Sequence, residues 1–217
     1  MLSRWFDKKQ ESAFPAAIEK VVRHRVARHS GGWASLHKLL EDQPGLNVLD
    51  IGCTSSTNIN YLTRLGHSVF LADVVHDACS GNWETGKDAD GKPVWNVEGF
   101  LDQSLNLASR KFDAVLLWTT LDYLPEPLVE PVVARLFEAT NVGGQVLAFF
   151  HTRTRGEETA YCRFHVTEGD DVEMQAGGEF PIQRAYTNRS IERLFADWTW
   201  YRQFLAKDGV SEVIITR

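Results

Sequence analysis

Short apolar runs alternate along the chain with segments in which apolar residues recur every three or four positions. A short continuous apolar run indicates a buried strand, and the wider spacing indicates a helix with one buried face. Strands that alternate with helices indicate a mostly parallel sheet covered on both faces. We predict strands at Leu46–Gly52, Ser68–Asp73, Val94–Val97, Phe112–Trp118 and Gln145–Phe150.

Helices are predicted between and around these strands. The segment Asp77–Trp95 breaks the pattern, because it holds Gly81, Gly86, Gly91 and Pro93, and it is predicted as a loop with at most one helical turn. The predicted helices are Ala16–His29, Gly32–Glu41, Asn58–Leu65, Leu128–Thr140 and Ser190–Phe195.

The pattern changes again after the last of these strands. Tyr161–Val166 and Asp171–Gln175 predict a small hairpin inside an insertion, and Asp208-Gly209 predicts the turn of a β-hairpin that closes the chain. We therefore expect a single domain in four parts. They are an N-terminal helical part (1–44), a core (45–150), an insertion or lid (151–187) and a last helix with a hairpin (188–217).

Composition excludes several classes of function. The formal net charge of −6 argues against a large phosphate-binding face and thus against a nucleic-acid partner. Cys53, Cys79 and Cys162 form no C-x-x-C pair, so no zinc site is expected, and so few cysteines fit a reducing cytosol. The N-terminus lacks the apolar stretch of a signal peptide, and no apolar run is long enough to cross a membrane. We expect a cytoplasmic protein.

Candidate chemistry lies at the carboxyl ends of the predicted strands, where open parallel sheets bind their ligands. Asp50 and Gly52 end the first strand, and Asp73 ends the second about 20 residues later. An acid at that spacing can accept hydrogen bonds from both hydroxyls of a ribose. The alternative for Asp50 and Asp73 is a plain strand-end or turn acid.

Four stretches of the chain resemble a known family: Val48–Cys53, Leu65–Asp73, Lys111–Leu117 and Asn141–Leu147. They are similar to motif I, the second strand with its ribose-binding acid, the fourth strand, and the "PGG" turn with the fifth strand of class I S-adenosylmethionine (SAM) methyltransferases. Val142 stands where proline is usual. The helix Asn188–Phe195 and the closing hairpin also fit the family's last units, so the resemblance covers residues 45–217 and implies a Rossmann-like fold. Its sheet would be mostly parallel and seven-stranded, with helices on both faces and a C-terminal antiparallel hairpin.

The resemblance also implies an activity. SAM would be the cofactor, S-adenosylhomocysteine the product, and the methyl group would pass to a small-molecule or protein acceptor. The Asn/Asp-Pro-Pro-Tyr/Phe motif of nucleic-acid amine methyltransferases is absent after Trp118, which argues against DNA. The residues that we expect at the cofactor are Asp50, Gly52, Thr54, Ser55, Asn58, Asp73, Val74, Asp102, Gln103 and Thr119. Asp102 and Gln103 would contact the adenine, and Thr119 would form a wall of the pocket.

The cofactor loop departs from the family's D-x-G-x-G-x-G pattern. From Asp50 to Asn58 it keeps only the first glycine, and Thr and Ser side chains replace the others. Glycines let a backbone approach a ligand and adopt positive φ, which β-branched residues resist. Hydroxyls near the following helix N-terminus could donate to the cofactor's carboxylate instead. The alternative is a degenerate member that has lost the donor and serves as a binding module. An NAD-linked enzyme is disfavoured because G-x-G-x-x-G is absent.

Catalytic candidates lie after the fourth and fifth strands. His151 is placed to act as a general base, and Asp122 or Tyr123 to contact the acceptor. The alternatives are a hydrogen-bonded structural histidine for His151 and a core position for Tyr123.

Overall fold

The computed structural model describes residues 24–154, 160–204 and 208–217. In this part of the chain eleven strands and seven helices follow one another. The strands are β1 (Val26–His29), β2 (Asn47–Ile51), β3 (Ser68–Ala72), β4 (Glu84–Lys87), β5 (Pro93–Trp95), β6 (Phe112–Trp118), β7 (Thr140–His151), β8 (Cys162–Val166), β9 (Asp171–Ala176), β10 (Trp200–Phe204) and β11 (Val210–Thr216). The helices are α1 (Gly31–Asp42), α2 (Ser56–Arg64), α3 (Val74–Ser80), α4 (Val97–Ser104), α5 (Thr120–Tyr123), α6 (Glu126–Ala139) and α7 (Asn188–Leu194).

The main sheet has the strand order β10-β11-β7-β6-β2-β3. The four strands from β7 to β3 are parallel to one another, and β11 and β10 add an antiparallel hairpin at the other edge. This confirms the mostly parallel Rossmann-like sheet with its C-terminal hairpin. Apolar side chains of both sheet faces are buried, such as Leu49 and Val115 on one face and Val48 and Ala114 on the other.

The described part of the main sheet has six strands, one fewer than predicted. The predicted third strand, Val94–Val97, does not join it. Instead β5 pairs with β4 in a separate two-stranded hairpin, where Val94 is 44% exposed. The segment is short, and its last two residues belong to the next element, because the side chain of Asn96 caps α4 and Val97 begins that helix. The loop predicted over Asp77–Trp95 is also wrong in part, because it holds this hairpin; the helical turn predicted there is the end of α3.

The prediction of a helix over Ala16–His29 is wrong at its C-terminal end. Val26–His29 forms β1, which pairs antiparallel with β9, whereas residues 16–23 lie outside the described residues. The pairing with β9 supplies the backbone hydrogen bonds that a helix would have made within itself. Together β1, β9 and β8 form a three-stranded sheet.

A buried ion pair joins this small sheet to the main one. Arg28 of β1 binds Glu212 of β11 and Asp208, and its guanidinium lies 5.2 Å from the ring centroid of Phe149. Glu212 also accepts from the hydroxyl of Ser30 (2.8 Å). Arg28 and Glu212 are both buried, so removal of either would leave an uncompensated charge inside the protein. The small sheet is therefore held firmly over the carboxyl ends of the parallel strands.

Polar side chains start the helices that surround the site. Ser30, Ser55 and Asp73 each accept a hydrogen bond from a backbone N–H in the first turn of α1, α2 and α3. Such caps satisfy N–H groups that a helix cannot pair internally. Two of these caps, Ser55 and Asp73, lie in the connections that follow parallel strands.

Candidate functional site

The first strand of the candidate site ends in a carboxylate that is fully engaged by its own chain. Asp50 is buried, and its two oxygens accept from Asn58 Nδ2 (2.8 Å) and Trp118 Nε1 (2.7 Å). Burial raises the pKa of Asp50 to about 6, while these two hydrogen bonds oppose the shift. The carboxylate thus holds the cofactor loop, residues 50–58, in place through its hydrogen bond with Asn58.

Asn58 is the centre of this loop. Its amide donates to Asp50 and to the carbonyl of Phe164 (3.1 Å), and its Oδ1 accepts from Val166 N (2.8 Å) and from the Ser55 hydroxyl (3.1 Å). An amide that donates to residue 164 and accepts from residue 166 binds β8 as a neighbouring strand would. The loop that lacks glycines is therefore fixed by side chains and by β8.

Trp118 ends β6 in a strained conformation. Its φ is +48°, in the left-handed region that bulky residues rarely adopt. The indole is held by Asp50, stacks on Phe164 with ring centroids 4.9 Å apart, and meets Phe149 edge-on at 5.5 Å. Such strain persists only where the surroundings enforce it, and it concentrates at functional sites.

Asp73 lies beside this group, at the end of β3. Its Oδ1 accepts from His76 N (3.2 Å) and, at 3.5 Å, from the hydroxyl of Tyr161. Within the described residues Oδ2 accepts no hydrogen bond, which leaves it able to accept from a ligand. Val74 follows as the fully buried first residue of α3.

The space above Gly52 meets the requirements of the cofactor that the sequence implies. Gly52 has a φ of +151°, and a Cβ there would lie 3.5 Å from Trp118 Cδ1 and 4.0 Å from the Tyr161 hydroxyl. A side chain at this position would be strained and would fill the gap between two aromatic residues. The gap is flanked by the Asp73 carboxylate, whose chemistry suits a ribose diol. These residues fit SAM.

Asp122 and His151 form a buried pair next to this gap. His151 Nδ1 lies 2.6 Å from Asp122 Oδ2, which also accepts from the His151 backbone N–H at 2.8 Å. An ionised carboxylate only accepts, so the imidazole proton is on Nδ1 and Nε2 is the basic nitrogen. Burial raises the pKa of Asp122, while the contacts with His151 oppose the shift. Asp122 Oδ1 is buried and accepts no hydrogen bond among the described residues.

Tyr123 lies between this pair and the cofactor gap. Its ring centroid is 5.9 Å from that of His151 and 4.8 Å from that of Tyr161, both in edge-on contacts. Tyr161 in turn reaches Asp73. One aromatic layer therefore connects the histidine pair with the carboxylate suited to ribose.

The remaining sequence candidates fall into two groups. Thr54 is an exposed loop residue, and Thr119 is buried directly after Trp118, so both belong to the same sheet edge. Asp102 and Gln103 are exposed in the last turn of α4, where Asp102 lies 3.7 Å from Arg135. The structure thus places this last pair on an outer surface.

Sequence reasoning missed the aromatic and basic residues that cover the site. The sequence predicts Trp118 as the end of a strand, but it does not predict the hydrogen bond that Trp118 donates to Asp50. Tyr161, Arg163 and Phe164 lie in the insertion. Tyr161 and Phe164 contact residues up to 106 positions earlier in the chain. No local pattern could reveal such pairs.

Two findings concern what the described residues do not contain. They include no group of three or more His, Cys, Asp or Glu side chains that could hold a metal ion. Among the same residues, no helix combines the length and apolarity that crossing a membrane requires.

The model of the methyltransferase domain family matches residues 22–204. The chain therefore belongs to this family, which confirms the resemblance to class I SAM-dependent methyltransferases, and it is an enzyme whose cofactor is SAM. Nothing in the match supports the degenerate alternative. No curated protein matches the chain significantly.

Several solved structures are similar to this chain at low sequence identity. A TehB-like SAM-dependent methyltransferase from Corynebacterium glutamicum is 14% identical, with 86% of this chain and 87% of that chain covered and a TM-score of 0.48. The PH0226 protein from Pyrococcus horikoshii is 11% identical, with 85% and 88% covered and a TM-score of 0.49. TehB from Haemophilus influenzae is 16% identical, with a TM-score of 0.46. That alignment covers 84% of this chain but only 61% of TehB.

Proposed function

We propose that this protein transfers the methyl group of SAM to a small molecule whose nucleophilic atom carries a proton, and that His151 removes that proton. The observation that carries the proposal is the buried Asp122–His151 pair at the carboxyl end of the sheet. Asp122 fixes the ring and its tautomer, so Asp122 is a positioning residue and His151 the general base.

The enclosure of the site favours a small acceptor. His151 is 2% exposed, and the backbone N–H groups of Gln183 and Arg184 donate to the Asp122 carbonyl. The segment that follows β9 therefore packs directly against the pair. A protein side chain would have to displace this segment, whereas a small molecule could be enclosed by it and shielded from water.

The residues around Gly52 would hold the cofactor. Asp73 is suited to the ribose hydroxyls, and the Trp118 and Tyr161 rings border the gap in which the sulfonium group would be held. Aromatic rings attract cations, so this border suits a positively charged sulfur. When bound, SAM supplies an electrophilic methyl group whose transfer needs alignment more than strong bases.

The proton balance defines the role of each residue. When bound, SAM would supply the methyl group to the acceptor's lone pair and keep the electrons of the broken bond on its sulfur, and His151 Nε2 would take the acceptor's proton. Asp122 stabilises the imidazolium that results. The step requires an ionised Asp122, and burial raises the pKa of this carboxyl, so kcat/KM should rise with pH as Asp122 loses its proton and then level off.

The test is methyl transfer from labelled SAM to a panel of phenols, alcohols and amines, followed by variants with the best acceptor. We expect His151→Gln to lower kcat roughly 100-fold or more, the usual contribution of a general base, with SAM affinity preserved. Asp122→Asn should also lower kcat and should shift the rising limb of the pH profile. His29→Gln is the matched control, because His29 is exposed at the end of β1. Unchanged turnover in His151→Gln would contradict the role of His151 as the general base.

A further inference from the structure

Arg163 lies in a partly buried position on β8, and among the residues that the structure describes its guanidinium has no carboxylate partner. Its Nε is buried and has no hydrogen-bond partner among the described residues, and Arg163 forms no ion pair with any of them. Every other guanidinium discussed above has a carboxylate partner. A buried guanidinium N–H without a partner is costly, and a ligand that supplies an acceptor would remove this cost.

The surroundings of Arg163 identify the place where that ligand would lie. A Cβ on Gly177 would lie 2.7 Å from Cys53 Sγ and 3.0 Å from Arg163 N, so β8 packs directly on the cofactor loop. Burial raises the pKa of the Cys53 thiol and the charge of Asp73 adds to this, whereas the charge of Arg163 opposes it. Cys53 therefore lies within reach of both charges, the anionic Asp73 and the cationic Arg163.

The loop beside Arg163 is rich in hydrogen-bond donors. Thr54 and Ser56 are exposed there, and Ser55 caps the N-terminus of the nine-residue helix α2. Asp73 on one side suits hydroxyl donors, and Arg163 on the other suits an anion. A molecule with a diol at one end and a carboxylate at the other matches this polarity.

We infer that Arg163 binds the carboxylate of the cofactor's methionine moiety and thereby replaces the missing loop glycines as the determinant of its orientation. This inference rests on the proposed function. Arginine is the side chain best suited to this role, because its planar fork can bind both carboxylate oxygens at once.

Calorimetric titration with SAM and with decarboxylated SAM, which lacks only the carboxylate, tests the inference. The wild-type chain should bind SAM roughly tenfold or more tightly than decarboxylated SAM, the value of a charge-assisted hydrogen bond. Arg163→Gln should bind both ligands with the affinity that the wild type has for decarboxylated SAM. Arg163→Lys should restore part of the preference, since it keeps the charge but loses the fork.

Arg25→Gln is the matched control. Arg25 also lies at this loop, but its guanidinium binds Glu173 and the Thr57 hydroxyl, both at 3.0 Å. This variant should keep the preference for SAM. If Arg163→Gln keeps the preference for SAM over decarboxylated SAM, or if the wild type binds both ligands equally well, the role of Arg163 is overturned while the proposed function stands. A wild-type chain that binds neither ligand would overturn the proposed function together with it.

Discussion

At the scale of single residues, the hydrogen bonds of Asp50 explain how the cofactor loop keeps its shape without the usual glycines. Its carboxylate receives one hydrogen bond from the loop and one from Trp118, and it is almost inaccessible to water. In a family pattern with several glycines the backbone itself shapes the loop. Here an acid, an amide and an indole do so, which accommodates the Cβ atoms of Thr54 and Ser55.

The raised pKa of Asp50 gives a prediction for stability. The native carboxyl has a pKa of about 6, against 3.8 when unperturbed, so between these values the native state binds more protons than the unfolded state. Its contribution to stability is therefore complete below about pH 4 and is lost as the pH rises through about 6. At about 1.4 kcal/mol per pKa unit, the loss is about 3 kcal/mol.

Urea unfolding at a series of pH values measures this contribution. The free energy of unfolding of the wild type should fall more steeply over this range than that of Asp50→Asn, which cannot titrate. Asp102→Asn serves as the control, since it makes the same change of side chain at an exposed position. Equal slopes in the wild type and Asp50→Asn would contradict the burial of an ionised carboxyl at this position.

At the scale of helices and strands, the main feature of the site is the packing of the β8–β9 hairpin against α2. Asn58 of α2 is fully buried and supplies β8 with both a donor and an acceptor, while Ser55 contacts His165 Nδ1 at 2.8 Å. The hairpin β8–β9 is thus part of the cofactor loop's support. It also carries Tyr161 and Arg163 to the site from its first strand and the residues before it.

Asn58→Ala should therefore be strongly destabilising. It leaves the Val166 N–H and one oxygen of Asp50 buried without their partner, and we expect a loss of about 3 kcal/mol in the free energy of unfolding. Asn60→Ala, on the exposed side of the same helix, should change it by less than about 0.5 kcal/mol. Urea denaturation of both variants measures the difference, and similar values for the two would contradict the central role of Asn58.

The local pattern of apolar and polar residues was sufficient to predict those elements whose burial follows from their own sequence. Phe112–Trp118 was predicted with the bounds that the structure has, because its short and almost continuous apolar run is typical of a buried strand. Val26–His29 was not, because its apolar spacing continues that of the preceding residues and only the pairing with Met174 and its neighbours makes it a strand. The strand-end acids Asp50 and Asp73 were likewise predictable, whereas Tyr161 and Arg163 reach the site only through tertiary contacts.

At the scale of the whole molecule the candidate site lies between two sheets. The parallel strands contribute Gly52, Asp73 and Trp118 from their carboxyl ends, and the small sheet covers them with an aromatic and basic surface. The Arg28–Glu212 ion pair holds the two together. A cofactor bound there would contact both sheets, so its binding should stabilise the fold as a whole.

The most direct test of the account is calorimetric titration of the wild type and Asp73→Asn with SAM and S-adenosylhomocysteine. Asparagine also caps helices well, so this variant keeps the start of α3 while it removes the charge. We expect the wild type to bind both ligands and Asp73→Asn to bind each roughly tenfold or more weakly, the cost of losing hydrogen bonds to a charged acceptor. Equal affinities in the two proteins would remove Asp73 from the site, and no binding by the wild type at millimolar concentrations would contradict the account itself.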